Sequence, residues 1–270
     1  MSKKMLAAPY LLWMAGFIII PLALIVYYGL TDKSGMFTLA NVLSIARPEH
    51  AKALGLALGL SFVSTVICLL LAYPLAMMLR SRGVGRGSFI VFIFILPMWM
   101  NFLLRTLAWQ TLLEKSGVIN GILSALHLPT QNLINTPGAI VLGMVYNFLP
   151  FMVLPIYNVL CKIDDNTIDA AQDLGANFFQ TLLRIWLPLS VPGIISGITM
   201  VFVPALTTFV ISSLLGGSKI LLIGNVIEQE FTHGSNWNQG SGLSLVLMIF
   251  ILLSMALIAK YDQNGEGSTF

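Results

Sequence analysis

Six apolar stretches, at about 9–30, 53–79, 88–108, 137–160, 189–215 and 243–259, leave this chain few ways to fold. A helix needs roughly 20 apolar residues to cross the hydrocarbon core of a bilayer. The runs are continuous rather than alternating, which excludes the strands of a β-barrel. Only 9% of the residues are charged and 57% are hydrophobic, whereas soluble domains are about a quarter charged. The expected fold class is an all-α integral membrane protein of about six transmembrane helices, forming one transmembrane domain over 1–270. No soluble domain and no linker between halves is visible, nor is an internal repeat of the kind that builds many secondary carriers.

The first apolar run follows Lys3 and Lys4. It exceeds the usual length of a signal-peptide core and no small-x-small cleavage site follows, so it reads as a retained first span. Orientation follows from the basic residues. With the N-terminus in the cytoplasm, Lys3, Lys4, Arg80, Arg82, Arg86, Lys162, Arg184 and Lys260 lie inside, and Lys33, Arg47, Lys52, Lys115 and Lys219 lie outside. The tight run Arg80-Ser81-Arg82-Gly83-Val84-Gly85-Arg86 in a very short loop decides the sense. Both termini are therefore expected in the cytoplasm. Basic residues scattered over loops do not make a nucleic-acid surface. Cys68 and Cys161, without CxxC spacing, suit neither a metal site nor a disulfide framework. Outside the membrane, 117–128 reads as a short helix in the interface, with Ile119, Ile122, Leu123 and Leu126 on one face. The stretch 220–227 is too short to cross and is expected to pack back on the bundle. The last span, 243–259, is short, and Gly240 to Gly242 before it are expected to add part of a turn.

Pro21, Pro74, Pro97, Pro150, Pro155, Pro192 and Pro204 fall within the spans. Such breaks are tolerated in a bilayer where protein or water satisfies the freed carbonyls, and seven together suit a bundle that moves. Enzymatic chemistry finds little support. His50, His127 and His233 all fall in expected outer loops, and no Asp or Glu lies within a span. Intramembrane proteolysis needs such groups beside a nucleophile or as a pair, so Gly193-Ile194-Ile195-Ser196-Gly197 reads as close helix packing. A proton-coupled carrier normally shows an intramembrane acid. No GxxxxGK[ST] phosphate loop is present either. If ATP drives this protein, another subunit binds it.

One polar stretch interrupts the apolar runs, and Asp164, Asp165, Asp169 and Asp173 sit in it. Asp164, Asp165, Asn166 and Thr167 are good N-cap residues for a short helix through Leu174, and their charge suits its positive end. Gly175 supplies a left-handed stop. Asn177 can cap a second helix carrying Phe178, Phe179, Leu182, Leu183 and Trp186, which ends as Pro188 enters the fifth span. Two short helices at an angle are expected. Asp169-Ala170-Ala171, three residues, Gly175, nine residues, Ile185, one residue, then Leu187-Pro188 resembles the EAA-x3-G-x9-I-x-LP loop of bacterial ABC importer permeases. Asp169 replaces the usual Glu, keeping the charge but shortening its reach by a methylene. Leu96-Pro97-Met98-Trp99, Leu103 to Trp109 and Gly117 to Asn120 are similar to the third span and outer helix of spermidine/putrescine permeases of the PotB type. Val145 to Phe151 and Leu154 to Tyr157 are similar to their fourth span.

The resemblance implies a type I, MetI-like permease fold with a cytoplasmic two-helix coupling loop at about 161–188, in a bacterial cytoplasmic membrane. It implies that Asp169, Ala170, Ala171, Gly175, Ile185, Leu187 and Pro188 meet a separate ABC ATPase dimer. A PotC-like second permease would supply the other half of the path, and an extracytoplasmic polyamine-binding protein the solute. ATP and magnesium would sit on the partner, leaving this chain with no cofactor, no catalytic residue and no metal. Sulfate, molybdate and ferric-iron permeases share the plan and stay open as alternatives. For a polycation, aromatic faces and polar groups are the expected contacts; Trp99, Asn101, Tyr146 and Asn147 are the path candidates, with Trp109 more suited to an interfacial belt. Arg105 reads as reaching the outer surface or pairing with a partner subunit. Glu228 and Glu230 read as the face of the last outer loop, open to solvent or to the binding protein.

Overall fold

Pro48–Ser81 (α2), Pro137–Leu160 (α5) and Phe178–Thr207 (α7) pack side by side at the centre of the molecule in this computed structural model, which describes residues 3–81, 96–234 and 236–266. The first helix runs from Lys3 through a π-helical turn, Ala15–Ile19, and its apolar part Pro9–Gly29 (α1) lies against the last helix, Trp237–Glu266 (α10). Between these lie Phe102–Leu113 (α3), Val118–Ala125 (α4), Asp165–Asp173 (α6), Val210–Leu215 (α8) and Ile223–Thr232 (α9). No strand occurs among the described residues beyond an isolated bridge between Thr31 and Phe37. Among the described residues, five stretches are long and apolar enough to cross a bilayer: Pro9–Gly29, α2, α5, α7 and Trp237–Ala256.

The centre is built on small side chains. Ala53, Ala57, Ser61, Ser64, Cys68, Ala72 and Ala76 recur about every four residues along α2 and are all buried. In hydrocarbon the packing of such residues is what lets helix backbones approach. Ser64 Oγ donates to Met144 Sδ at 3.3 Å, and Tyr73 Oη and Ser190 Oγ lie 3.0 Å apart, so polar contacts join α2 to both neighbours. On α7, Gly193 and Gly197 face α5. A β-carbon at Gly193 would sit 2.9 Å from the Pro155 carbonyl and 3.1 Å from Ile156 Cα, whereas at Gly197 it would meet the Met152 sulfur. The segment read as close packing therefore sits at a helix crossing.

Several expected boundaries move. In place of a fifth span over 189–215, α7 begins at Phe178 and ends at Thr207, and α8 follows a break at Thr208–Phe209. Asn225 fills that break. Its Nδ2 donates to the Phe209 carbonyl and Ser213 Oγ, and its Oδ1 accepts from Ser212 Oγ and the Leu222 amide. α9 thus packs back on the bundle, with Leu222 and Ile223 fully buried. Of the third span, 88–95 lies outside the described residues, as does most of the Arg80–Arg86 run. The remainder is a 3₁₀ turn, Leu96–Trp99, separated by Asn101 from α3, so 96–108 is not one helix. The last span begins at Trp237, so Gly240–Gly242 lengthen it as expected, by more than part of a turn. Gly29 closes on Ser241 and Gly242 on Asn41, so these glycines mark a helix crossing.

Most of the span prolines stay inside continuous helices. Pro21 and Pro188 share a device: a π-helical turn, Ala15–Ile19 or Leu182–Trp186, ends two residues before each. Proline lacks an N–H and crowds the carbonyl four residues back, and a π turn is a known way to absorb such a mismatch within a helix. Gly193→Ala is expected to cost about 1–3 kcal/mol, because its neighbours are backbone atoms that cannot move aside. Gly197→Ala should be near neutral, since a flexible methionine yields and alanine gains about 1 kcal/mol of helix propensity over glycine. Denaturation of the two variants in one detergent checks the order.

Candidate functional site

The polar stretch between α5 and α7 folds as two capped helical segments joined by a tight turn. Asp164 Oδ1 accepts the Asn166 amide at 3.1 Å, so of the four possible cap residues Asp164 takes the N-cap of α6. The other end is a Schellman closure: the Ala176 amide donates to Ala171 O at 3.0 Å and the Gly175 amide to Gln172 O at 2.8 Å. This closure needs a left-handed residue, and Gly175 has φ of +82°, with no atom within 4 Å of the point a β-carbon would occupy. The constraint on Gly175 is therefore conformational and not one of space. Its distance from Ala171 is the length of that closure.

Asn177 opens the second segment with a reciprocal box. Its Oδ1 accepts the Gln180 amide and Gln180 Oε1 accepts the Asn177 amide, both at 2.9 Å. Gln180 escapes a reading by caps and breakers alone, although Asn-x-x-Gln is the signature of such a box. The expected separate second helix does not end at Pro188. Phe178–Thr181 runs through the π turn Leu182–Trp186 into α7 without interruption.

The motif residues fall on two sides of this element. Asp169, Ala170, Gly175, Leu187 and Pro188 are exposed, and Ala171 and Ile185 are half-buried. Ala171, Gly175, Ala176, Thr181 and Ile185 line a cavity of about 370 Å³ between the two segments. Beside it stand apolar side chains in an otherwise polar setting. Leu174 is 90% exposed, and Phe178, Phe179 and Leu183 are at least 60% exposed. Exposed apolar side chains of this size, beside the polar turn at one end of a candidate span, are available to lipid or to a partner protein. At their edge Arg80, the last arginine of α2, donates through Nη2 to Ile163 O at 2.8 Å and to Asp165 Oδ1 at 2.7 Å. Its guanidinium lies 4.1 Å above the Trp186 ring.

The path candidates are not gathered in this way. Trp99 is largely exposed at the end of the 3₁₀ turn. Asn101 caps α3, its Oδ1 accepting the Leu103 amide at 2.8 Å and the Leu104 amide at 3.4 Å. Tyr146 is 40% exposed and stands edge-on to Trp109 at 5.4 Å, so Trp109 packs on α5 instead of standing free in a belt. Asn147 is buried; its Nδ2 donates to Gly143 O at 2.9 Å and its Oδ1 has no hydrogen-bond partner. Arg105 does not reach the surface as expected: it is buried, and neither Nε nor Nη1 has a partner. Glu228 and Thr232 pair through a 3.1 Å hydrogen bond at the end of α9. Among the described residues no group of His, Cys, Asp and Glu is placed to hold a metal ion.

Residues 69–262 match the family described as binding-protein-dependent transport system inner membrane component. The chain belongs to this family. Among similar proteins, the spermidine/putrescine transport system permease protein PotB of Haemophilus influenzae is 37% identical, over 97% of this chain and 94% of that one. Its counterpart in Escherichia coli is 34% identical over 90% and 91%. Among solved structures, a bacterial ABC transporter involved in alginate import aligns over 99% of this chain and 96% of that chain, with a TM-score of 0.78 at 17% identity. The MetNI methionine ABC transporter aligns over 82% and 99%, with a TM-score of 0.58. The MetI-like permease fold expected from the loop is thus the fold of this chain, and family membership makes it a multi-pass inner-membrane transport subunit rather than an enzyme. In this inner-membrane component the polar element has a defined fold of its own. Gly175→Val should destabilise the turn by about 1–2 kcal/mol, because a β-carbon resists left-handed backbone. Gly175→Asn should be better tolerated. Hydrogen exchange at residues 175 and 176 is the check: faster in the valine variant and near wild type in the asparagine variant.

Proposed function

We propose that this chain forms half of the translocation path of an ATP-driven polyamine importer and is driven through the 164–188 element by a separate ATPase. The observation that carries the reading is the apolar patch of Leu174, Phe178, Phe179 and Leu183 on a stiff, capped element outside the bilayer. Aromatic and aliphatic anchors of that kind dominate interfaces. The chain has no phosphate loop of its own, so ATP and magnesium belong on the partner. The polyamine label rests on relatives named for spermidine and putrescine that match over nearly the whole chain. A dimer of ATPases, a second, PotC-like permease and an extracytoplasmic binding protein complete the machine, with both termini of this chain in the cytoplasm.

Asp169, Ala170, Ala171 and Gly175 would shape the ATPase-facing side, and Ile185, Leu187 and Pro188 the passage into α7. For the solute, Trp99 and Tyr146 would offer ring faces, each worth about 0.5–2 kcal/mol to an ammonium group. Asn147, with a free acceptor oxygen, suits an ammonium hydrogen. Asn101 holds α3 in place, and any contact it makes is secondary to that.

A second reading has one observation in its favour. Arg105 is buried with two unpartnered nitrogens, and a buried cation without a partner is costly. A permease for an oxyanion would use such a group. Uptake by proteoliposomes containing both permeases, the ATPases and the binding protein separates the cases. The expected result is ATP-dependent uptake of spermidine or putrescine, lost in Gly175→Val while the protein still reaches the membrane. Uptake of sulfate or molybdate and no polyamine would overturn the solute. Uptake without the ATPases would overturn the coupling.

A further inference from the structure

We propose that Arg80 is a positioning residue that clamps the coupling element to the second transmembrane helix, so that a displacement of the element is delivered to α2 as well as to α7. The proposal rests on the ATPase-coupled reading above and goes beyond it, because α7 is already continuous with the element and α2 is not. Three contacts converge on one guanidinium. Nη2 reaches the Ile163 carbonyl, just before the N-cap of α6, and Asp165 in its first turn. The flat face covers Trp186, the last residue of the π turn. The end of α2, the start of α6 and the entry to α7 are thereby held by one side chain.

Two further observations make the clamp the principal link at this place. Around it the packing is open: Met77, Arg80, Ile168, Gln172, Phe178 and Trp186 border a cavity of about 410 Å³. Close packing between the end of α2 and the element is therefore incomplete. Arg80–Asp165 is also the one salt bridge among the described residues. The partners are unequal, with the Arg80 side chain 13% exposed and Asp165 85% exposed. An exposed carboxylate is screened by water and contributes little, so the carbonyl and the indole carry most of the hold. Lysine keeps the charge but has neither the planar fork nor the stacking face. A residue that served only to orient the helix by its charge would accept lysine.

The importer assembled in nanodiscs with its ATPase, second permease and binding protein tests this through solute moved per ATP hydrolysed. Arg80→Gln should lower that ratio roughly 3- to 30-fold, the range for residues that carry coupling between sites, with the ATPase still co-purifying. Arg80→Lys should recover little of it. Asp165→Asn should have a small effect, and Trp186→Phe should fall between. An unchanged ratio in Arg80→Gln overturns the proposal, as does a parallel loss of ATPase association and transport, which would make the residue merely structural. A second measurement is independent of the ATPase. Spin labels at Ser81 and Asp173 should give a narrow distance distribution in the otherwise native chain and a broad one in Arg80→Gln. Equal widths would overturn the clamp. Failure of the wild-type chain to associate with any ATPase would instead sink the functional reading, leaving the distance measurement to decide on the clamp.

Discussion

Every backbone N–H and C=O buried in hydrocarbon must find a partner within the protein, and the irregular parts of this structure are the places where that demand is met by something other than helix. Asn225 is the clearest case. At Thr208–Phe209 the helix stops, and one amide side chain two segments away serves a carbonyl, an amide and two hydroxyls. Asn101 does the same for the start of α3. Asn120 bridges both ends of the outer loop, donating to the Glu114 and Gln131 carbonyls and accepting the Gln131 amide. Outside hydrocarbon the rule relaxes, and there Asp32 folds the loop after α1 around itself. Hydrogen bonds from the Ser34 hydroxyl and the Met36 amide hold its carboxyl below the usual range.

Local capping makes the polar element between α5 and α7 stiff. A 25-residue polar loop could satisfy its backbone with water and move freely. Here it is capped at both ends of α6 and at the start of the second segment, so few backbone groups depend on solvent. Four aspartates in one short stretch suggest a charged docking face. Asp164 and Asp165 instead serve a cap and a clamp, and the surface on offer is apolar. Charge sets the ends of the helices, and Leu174, Phe178 and Phe179 are the side chains left exposed.

Much of this was legible because it is local. Five of the six apolar runs are helices among the described residues, and the Gly175 turn and the Asn177 cap lie within a few residues of their partners. What escaped has its cause far along the chain or in hydrogen-bond register. No Gly or Pro marks the break at Thr208–Phe209, and the residue that satisfies it lies 16 positions from Phe209. The last helix starts earlier than hydropathy shows, and the close approaches of Gly29 to Ser241 and of Gly242 to Asn41 that hold its first turns come from far along the chain. Nothing in hydropathy reports a π turn, so the union of the second segment with α7 was invisible. Arg80 had meaning only as an inside charge, since its partners lie 83 and 85 residues away.

That union changes what the element can do. Two separate short helices would have transmitted a push through a hinge at Pro188. One helix of 30 residues is about 45 Å long, against a hydrocarbon core of roughly 30 Å, and it runs unbroken from Phe178 through Pro188. Under the proposed coupling, a tilt imposed at Phe178 would emerge at Thr207, where the helix breaks and Asn225 holds the loose ends. Gly193 and Gly197, midway along, press the backbone of α7 onto α5, which places the fulcrum there. Under the proposed coupling, the capped end would receive the force, the glycine crossing would bear it, and the break that Asn225 stitches would be where the motion has somewhere to go.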